Sequence, residues 1–541
     1  MKKRRILILG ASLMQLPAIK EAKNLGLEVV AVDANPRATS IPFVDHFENI
    51  DLKDVPSLID FAKSLYNNGG LSAVFTAATD FSSSVASIAE ALSLPSHSLE
   101  SSMNASDKVL MRSVFEKNKI ASPRFIEVSD VNDFDAKLLD DFSYPLVVKP
   151  SDNMGARGCR LVEKNENILP IIEKALTYSR SSKIIIEEFI EGPEFSIEGL
   201  VFNGKLHITA LADRHIYYPP YFVEMGHTIP STYPKEITDK IVDLFVRGVH
   251  ALGLSHGACK GDVFFDKKRG EAIVGEIAAR LSGGYMSGWT APYSSSINVT
   301  RLALQLALGD EVDPIPSMPT KYNTTRFSSE MAYISIPGKV KEVMGLYDAK
   351  ASHNIKDVFP RCEAGDKVVF PTNNVEKAGN VISLSSSYED AIASSTKAIK
   401  NIFIRLEPFN EDTDSFLSSY NDDFCKQECY PPNYFIFSDI KEESLKECIK
   451  NADYIIEEDI IYPSFFSSYL DILKPPMCLS IREAIKMAFS IVPRIKDLII
   501  FLIENRKTEG EREALIKCWL SFIRAGHQGL VYWFDSYKKN G

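Results

Sequence analysis

Three charged residues near the middle of the chain have the types and spacing for cation-assisted chemistry. They are Asp262, in KGDVFFD, and Glu276 and Arg280, in EAIVGEIAAR, which read as two β-strands joined by the turn KKRG near Arg269. Folding at that turn sets Asp262 opposite Glu276, within one residue of register. Side chains alternate faces along a strand, so Glu276, Ala278 and Arg280 share one face and Ile277 and Ala279 the other. Carboxylates on facing strands repel unless a cation sits between them, and hard oxygen ligands favour Mg²⁺ or Mn²⁺. The competing reading is a surface hairpin with ordinary solvated charges. What precedes the hairpin in the chain favours the first.

RILILGA, LMQLPAIKEAKNLG and LEVVAVDANP form a strand–helix–strand opening. Asp33 follows Gly10 at the distance of a dinucleotide-binding acid, but GASLMQ supplies one glycine where that fingerprint needs three, so NAD binding is not expected. LSAVFTAATDFSSSVASIAEALSLP adds a strand and a helix. In SDKVLMRSVF, Ser106 or Asp107 caps a helix carrying Lys108, Arg112 and Phe115. A lysine in the first helical turn opposes the helix dipole, so Lys108 is either solvated or directed at an anion.

PLVVKPSDNMGARGCRLV then joins two strands, with Lys149 ending the first and Gly155 and Gly158 in the loop. Glycines let backbone N–H groups approach phosphate oxygens, although the spacing is not that of a Walker loop. In KIIIEEFIEGPEFSIEGLVF, two strands flank a polar kink. The plain reading of Glu187 and Glu188 is a solvated edge; the sharper one places Phe189 and Ile190 at a bend where backbone groups meet a flat ring.

Composition bounds the alternatives. The chain has 541 residues, 45% hydrophobic and 25% charged, an ordinary soluble balance with room for three or four domains. Net charge is −11 and no basic or aromatic cluster forms a groove, so no nucleic-acid partner is expected. MKKRRILILGASLMQLPA imitates a signal peptide, yet ILILG is needed as a sheet partner. No apolar run reaches a membrane span, and a cytoplasmic location is expected. Cys425 and Cys429 are the one close cysteine pair and lack zinc-site partners; reduced thiols are expected.

The ordered elements resemble the ATP-grasp superfamily over roughly residues 5 to 405. Within it, GEIAAR and the loop ADRHIYYPPYFVEMGHTIPS are most similar to the L-amino acid ligases and related carboxylate–amine ligases. The resemblance implies that Lys108 and Lys149 contact ATP phosphates under a mobile loop, Ser151 to Gly158. It implies adenine at Glu187 and the backbone of Glu188, Phe189 and Ile190, and ribose at Glu194. Asp262 and Glu276 become Mg²⁺ ligands, Arg280 an oxyanion stabiliser, and Glu224 and His227 substrate-pocket residues. Many relatives have Asn two residues after the metal-binding glutamate. Here that position is Ala278, which removes one protein ligand from a second ion.

The implied fold is α/β with an α+β ligase core. It comprises an N-terminal Rossmann-like domain (1–99), a two-lobed ATP-grasp domain (100–324) and a β-rich subdomain (325–408). A polar, acidic linker (409–424) leads to a mainly helical domain (425–541). A helix is expected over YEDAIASSTKAIKNIFI. The helical patterns SIREAIKMAFSIVPRIKDLIIFLIENRK, broken at Pro493, and EREALIKCWLSFIRAG indicate core packing, with an oligomer or partner interface as the second reading. The expected activity is ADP-forming ligation of a small carboxylate, most simply an amino acid, to an amine. A purine-type formyltransferase or carboxylase, a non-catalytic ATP-binding regulator and an inactive structural frame are the alternatives.

Overall fold

The run from Ile6 to Leu9 is apolar at every position, and in the computed structural model all four side chains are buried. A strand apolar on both faces belongs inside a sheet. Arg5–Leu9 lies between Glu28–Val32 and Ala73–Phe75, parallel to both, with His46–Glu48 beyond Glu28–Val32. The helix Leu16–Asn24 makes the first crossover. Asp33 closes the strand–helix turn internally, accepting the Ala11 N–H at 2.8 Å.

The structure describes residues 3–312, 314–419, 430–437, 442–473 and 479–537. They fall into two units. One is Met1–Ile216 with Gly226–Glu330 and Ile382–Ile392; the other is Tyr217–Met225 with Met331–Val381 and Ala393–Gly541.

After its parallel sheet, the first unit carries two further sheets, the two lobes of the expected core. The first lobe is antiparallel, in the order Phe125–Val128, Ile184–Glu188, Leu146–Pro150, Arg160–Val162. The second centres on Glu271–Ala278, Gly257–Asp266, Glu194–Phe202 and Lys205–Tyr217, adjacent in that order. Apolar residues of helix Lys235–Ala251, Phe245 and Val249 among them, share a core with Ile197, Val263 and Ile277 from the strands.

The kink between Glu188 and Glu194 joins the lobes and docks on the hairpin turn. Phe265 N–H donates to Pro193 O at 2.9 Å and Lys267 N–H to Glu191 O at 3.3 Å. This approach admits no side chain at Gly192, where a Cβ would lie 1.9 Å from Phe265 O.

In the second unit, Gly338–Met344 pairs with Lys367–Val368 and Phe403–Leu406. Three sequence expectations are corrected here. The helix from Tyr388 stops at Lys400, because FIRL, opening on the strand-favouring Phe403 and Ile404, forms a strand instead. Part of the expected linker is core: Glu411–Ser418 is a helix, capped by Asn410, with Thr413, Phe416 and Leu417 buried. The segment EREALIKCWLSFIRAG continues helically to Ser536 through a kink at Ala525 and Gly526. The break at Pro493 falls between the helices Ile481–Ile491 and Arg494–Glu504, the first closed by a Ser480–Glu483 capping box. These helices pack around Trp519, Phe466 and Phe522.

Among the described residues no helix is long and apolar enough to cross a membrane. Cys159, Cys259, Cys362, Cys448 and Cys518 are free thiols; Cys425 and Cys429 lie outside the described residues.

Gly192→Ala is expected to cost at least about 2 kcal/mol, because the new methyl must displace a backbone carbonyl rather than a flexible side chain. A chemical denaturation midpoint equal to wild type would show that the kink does not depend on this contact.

Candidate active site

Two strands and one turn set the centre of the site. Gly257–Asp266 and Glu271–Ala278 pair antiparallel with Asp262 directly opposite Glu276, and a bulge follows at Val263. The third strand, Glu194–Phe202, brings Ser196 opposite Asp262, and its hydroxyl donates to Asp262 Oδ1 at 3.0 Å. Lys260 Nζ donates to Asp262 Oδ2 at 2.6 Å, and Arg214 Nη1 stands 3.4 Å from the same oxygen. Burial works to raise the Asp262 pKa, but Arg214 and Lys260 outweigh it and hold the carboxyl well below the usual range. Glu276 is likewise lowered, with Lys108 and then Lys260 overcoming burial and the repulsion of Asp262.

Lys108 is buried at the first turn of helix Lys108–Lys117, which Asp107 caps through the N–H groups of Val109 and Leu110. Its ammonium donates to Asn153 O at 2.9 Å and lies 3.6 Å from Glu276 Oε2. Desolvation opposes that charge, but Glu276, Asp80 and Glu187 together raise its pKa. The lysine is directed at the acids and the loop backbone at Asn153, not at bulk water.

One turn along the same helix, buried Arg112 donates from Nε to Glu187 Oε1 at 2.6 Å and from Nη2 to Gly275 O at 2.6 Å. Glu187 Oε2 meets Lys149 Nζ at 2.5 Å. Burial alone would raise Glu187, but Arg112 and Lys149 keep it lowered. The structure therefore gives the Glu187 side chain to two cations rather than leaving it for a ring. Glu188 and Phe189 donate their N–H groups to Arg124 O and Pro145 O at 3.1 Å, and the Glu188 carboxylate accepts the Ser143 N–H at 3.1 Å. Ile190 is buried beside them. Glu194 is ion-paired with Arg214.

In the loop, Gly155 and Gly158 take φ of +67° and +72°, the left-handed region. Ser151 is committed within the chain. It is buried, its carbonyl accepts the Lys108 N–H at 2.9 Å, and its hydroxyl lies 3.4 Å from Asp107 Oδ2. Arg280 is buried, donating to Leu281 O at 3.0 Å and facing Asp80 Oδ1 at 3.6 Å.

Sequence reasoning missed Asp80. It follows strand Ala73–Phe75, faces Arg280 and Arg180 (3.7 Å), and lies within electrostatic reach of Lys108 and Arg157. Its Oδ2 is buried without a hydrogen-bond partner. The available signal was an acid just past the carboxyl end of a parallel strand, where α/β sheets place ligands. Glu198 was also missed. It is buried, accepts from Ser282 N–H (2.8 Å) and the Ser287 hydroxyl, and is raised by burial.

Two expectations about the substrate loop change. Glu224 and His227 are three positions apart in the strand Val223–Ile229, so they alternate onto opposite faces. His227 is buried with Nε2 2.6 Å from Thr290 Oγ1 and Nδ1 3.4 Å from Glu330 Oε2, which leaves no ring nitrogen for a substrate amine. Glu224 is fixed through its backbone: its N–H donates to Asn374 Oδ1 at 2.8 Å and its carbonyl accepts from Lys377 Nζ at 2.7 Å.

Among the described residues no cluster of three or more His, Cys, Asp or Glu is arranged to hold a metal. Two ionised carboxylates in facing register fit Mg²⁺ all the same, since that ion takes one or two carboxylates and completes its shell with phosphate oxygens and water. Ala278 adds no donor.

The chain is similar to known proteins. A family model described as "ATP-grasp domain" matches residues 142–288, and "L-amino acid ligase C-terminal domain 2" matches 331–407. The chain carries an ATP-grasp domain. The structure of L-amino acid ligase from Bacillus licheniformis is similar, with TM-score 0.65 and 24% identity, covering 75% of this chain and 100% of that one. Phosphoribosylglycinamide synthetase from Anaerococcus prevotii has TM-score 0.59 and 22% identity over the same shares. In sequence, the uncharacterized protein y4rH of Sinorhizobium fredii is 21% identical over 80% of this chain and 87% of its own length. The carbamoyl phosphate synthase large chain of Bifidobacterium longum is 24% identical over 58% of this chain, which is 26% of its own length.

Glu187, Glu276 and Asp262 have folded-state values depressed from 4.5, 4.5 and 3.8. Each therefore contributes stability above its ordinary value and loses it as pH falls through the folded one. Glu187→Gln is expected to lower the denaturation midpoint at neutral pH and to flatten its fall as pH drops below about 4.5. An unchanged acid slope would show that this carboxylate does not titrate with unfolding.

Proposed function

We propose that this chain is an ADP-forming ligase that joins the carboxylate of an amino acid, or a similar small acid, to an amine through an acyl phosphate. The observation that carries the reading is the facing pair Asp262 and Glu276, held ionised and framed by Lys108, Lys260 and Arg214. A carboxylate is a poor acyl donor. Transfer of the γ-phosphoryl group breaks its bond to ADP and forms one to the carboxylate oxygen; the amine then attacks the acyl carbon and inorganic phosphate leaves. Such transfer needs positioned cations more than covalent help.

Lys108 and Lys149 would bind and orient the phosphates beneath the Ser151–Gly158 loop, with Ser151 tethering that loop and Glu187 aiming Lys149. The backbone at Glu188–Ile190 would meet adenine, and Glu194 the ribose. Asp262 and Glu276 would hold Mg²⁺, which when bound neutralises phosphate charge and templates the transferring group. Arg280 would stabilise the oxyanion formed on amine attack. Glu224 would be the counter-charge for a substrate ammonium group. The domain bounds at 99, 324 and 408 stand on the same reading.

The deciding measurement is ADP formation against Mg²⁺ concentration for wild type, Glu276→Gln, Asp262→Asn and the double variant, with amino acids and formate compared as the consumed acid. Each single variant is expected to lose turnover by at least ~10²-fold, and the double to be little worse, because the two act as one unit. A Glu276→Gln curve that follows wild type would remove the site from this hairpin. Turnover with formate alone would move the chain to the formyltransferases.

Glu224→Gln is expected to raise KM for the amino-acid substrate far more than for ATP, since it removes a counter-charge and leaves the phosphates untouched. Equal effects on both would take Glu224 out of the substrate pocket.

A further inference from the structure

The second unit contains a cavity of about 110 Å³ behind the kink of its longest helix. In an unbroken helix the carbonyls of Ile523 and Arg524 accept from residues four positions on, His527 and Gln528. At the kink those carbonyls accept from the N–H groups of Phe435 (3.1 Å) and Tyr434 (3.2 Å). Gly526 makes the break feasible, with φ of +58° and a Tyr434 ring that a Cβ would approach to 2.9 Å. The break turns two successive polar residues, His527 and Gln528, onto the cavity wall.

Gln528 is satisfied. Its Nε2 donates to Ser335 Oγ (2.8 Å) and Ile404 O (2.9 Å), and its Oε1 accepts from the Ile336 N–H (3.1 Å). His527 is not. Its ring is flanked by Phe403 and Tyr434 at centroid distances of 5.3 and 6.3 Å, yet among the described residues neither ring nitrogen has a hydrogen-bond partner, and Nδ1 is buried. Buried polar groups without partners are rare in folded proteins. The rest of the wall is largely apolar, including Met331, Ile336, Phe370 and Ile399. Lys400 also lines it, but its ammonium is drawn to Glu483 at 3.2 Å.

We propose that this cavity is a binding site for a small, neutral, largely apolar molecule with one hydroxyl or N–H group, which hydrogen-bonds to His527. The size sets one aromatic ring or a short branched chain as the upper limit, since an apolar cavity of about 150 Å³ takes up benzene and this one is somewhat smaller. Among the described residues the wall offers no unpaired cation and no carboxylate, which favours a neutral ligand. The neutral imidazole suits it, since burial lowers the His527 pKa to about 4 and either tautomer offers one donor and one acceptor. The wall joins residues of the second matched segment, Met331 to Ile404, to His527 and Gln528 of the long helix beyond it.

The test uses the full chain, with phenol as probe and benzene as the control that lacks a donor. Binding is followed by saturable shifts in thermal midpoint and by calorimetry. Phenol is expected to bind about 5-fold more tightly than benzene, the margin of one net hydrogen bond. His527→Phe should abolish that preference, and Ile399→Trp, which fills the cavity from another wall, should abolish binding of both. Should His527→Phe fail to fold, wild type and Ile399→Trp carry the test. No saturable binding by wild type, equal affinity for the two probes, or phenol binding retained in Ile399→Trp would each overturn the proposal.

Discussion

The first unit depends on one buried ionic contact, Arg112 with Glu187 and Lys149. Taking three charges out of water is unfavourable, and it is sustained here because the partners lie at 2.5 to 2.6 Å and Arg112 also donates to Gly275 O. Each member comes from a different element: the helix Lys108–Lys117 and the strands Ile184–Glu188 and Leu146–Pro150. The Gly275 carbonyl adds the acid-bearing strand Glu271–Ala278. One guanidinium thus fixes the helix against both lobes, and with it the two lysines of the candidate phosphate site. Loss of one partner would leave a buried charge uncompensated, typically at a cost of about 3–5 kcal/mol.

Around that contact, charge is arranged in alternation. Asp80 faces Arg180 and Arg280, Glu276 faces Lys108, Asp262 faces Lys260, and Glu194 faces Arg214. Each acid holds a cation in place and each cation keeps an acid ionised, so the set is preorganised without a large net charge. Such an arrangement favours a ligand carrying both signs, as a polyphosphate with its divalent ion does. Asp80 comes from the N-terminal sheet, which makes that sheet part of the site's electrostatics and not only a support.

The second unit follows different physics. Its helices are held by aromatic packing, with Trp519, Phe466 and Phe522 in mutual edge or stacked contact. Helix Glu411–Ser418 is bound into the neighbouring core by Arg524, whose Nε donates to Phe416 O at 3.3 Å. An abrupt feature is the Gly526 kink, where segment 434–435 occupies the carbonyls that a continuing helix would use.

The local elements of the site were legible in the sequence because they rest on short-range rules. Alternation and a turn gave the hairpin and the register of Asp262 against Glu276. A capping aspartate located the start of the helix bearing Lys108, and Pro493 located a helix break. By contrast, Ser151 and Glu187 read as ligand contacts, and the fold gave their side chains to the chain itself. Alternation also separates Glu224 from His227, but their shared motif had grouped them. Acidic composition disguised helix Glu411–Ser418, whose apolar face is only two residues wide. Tertiary structure alone decided the pairings of Arg112 with Glu187, 75 positions away, and of Asp80 with Arg280. The reason is physical: periodicity records which face of an element is apolar, whereas the partner of a buried charge depends on which distant element the fold lays against it.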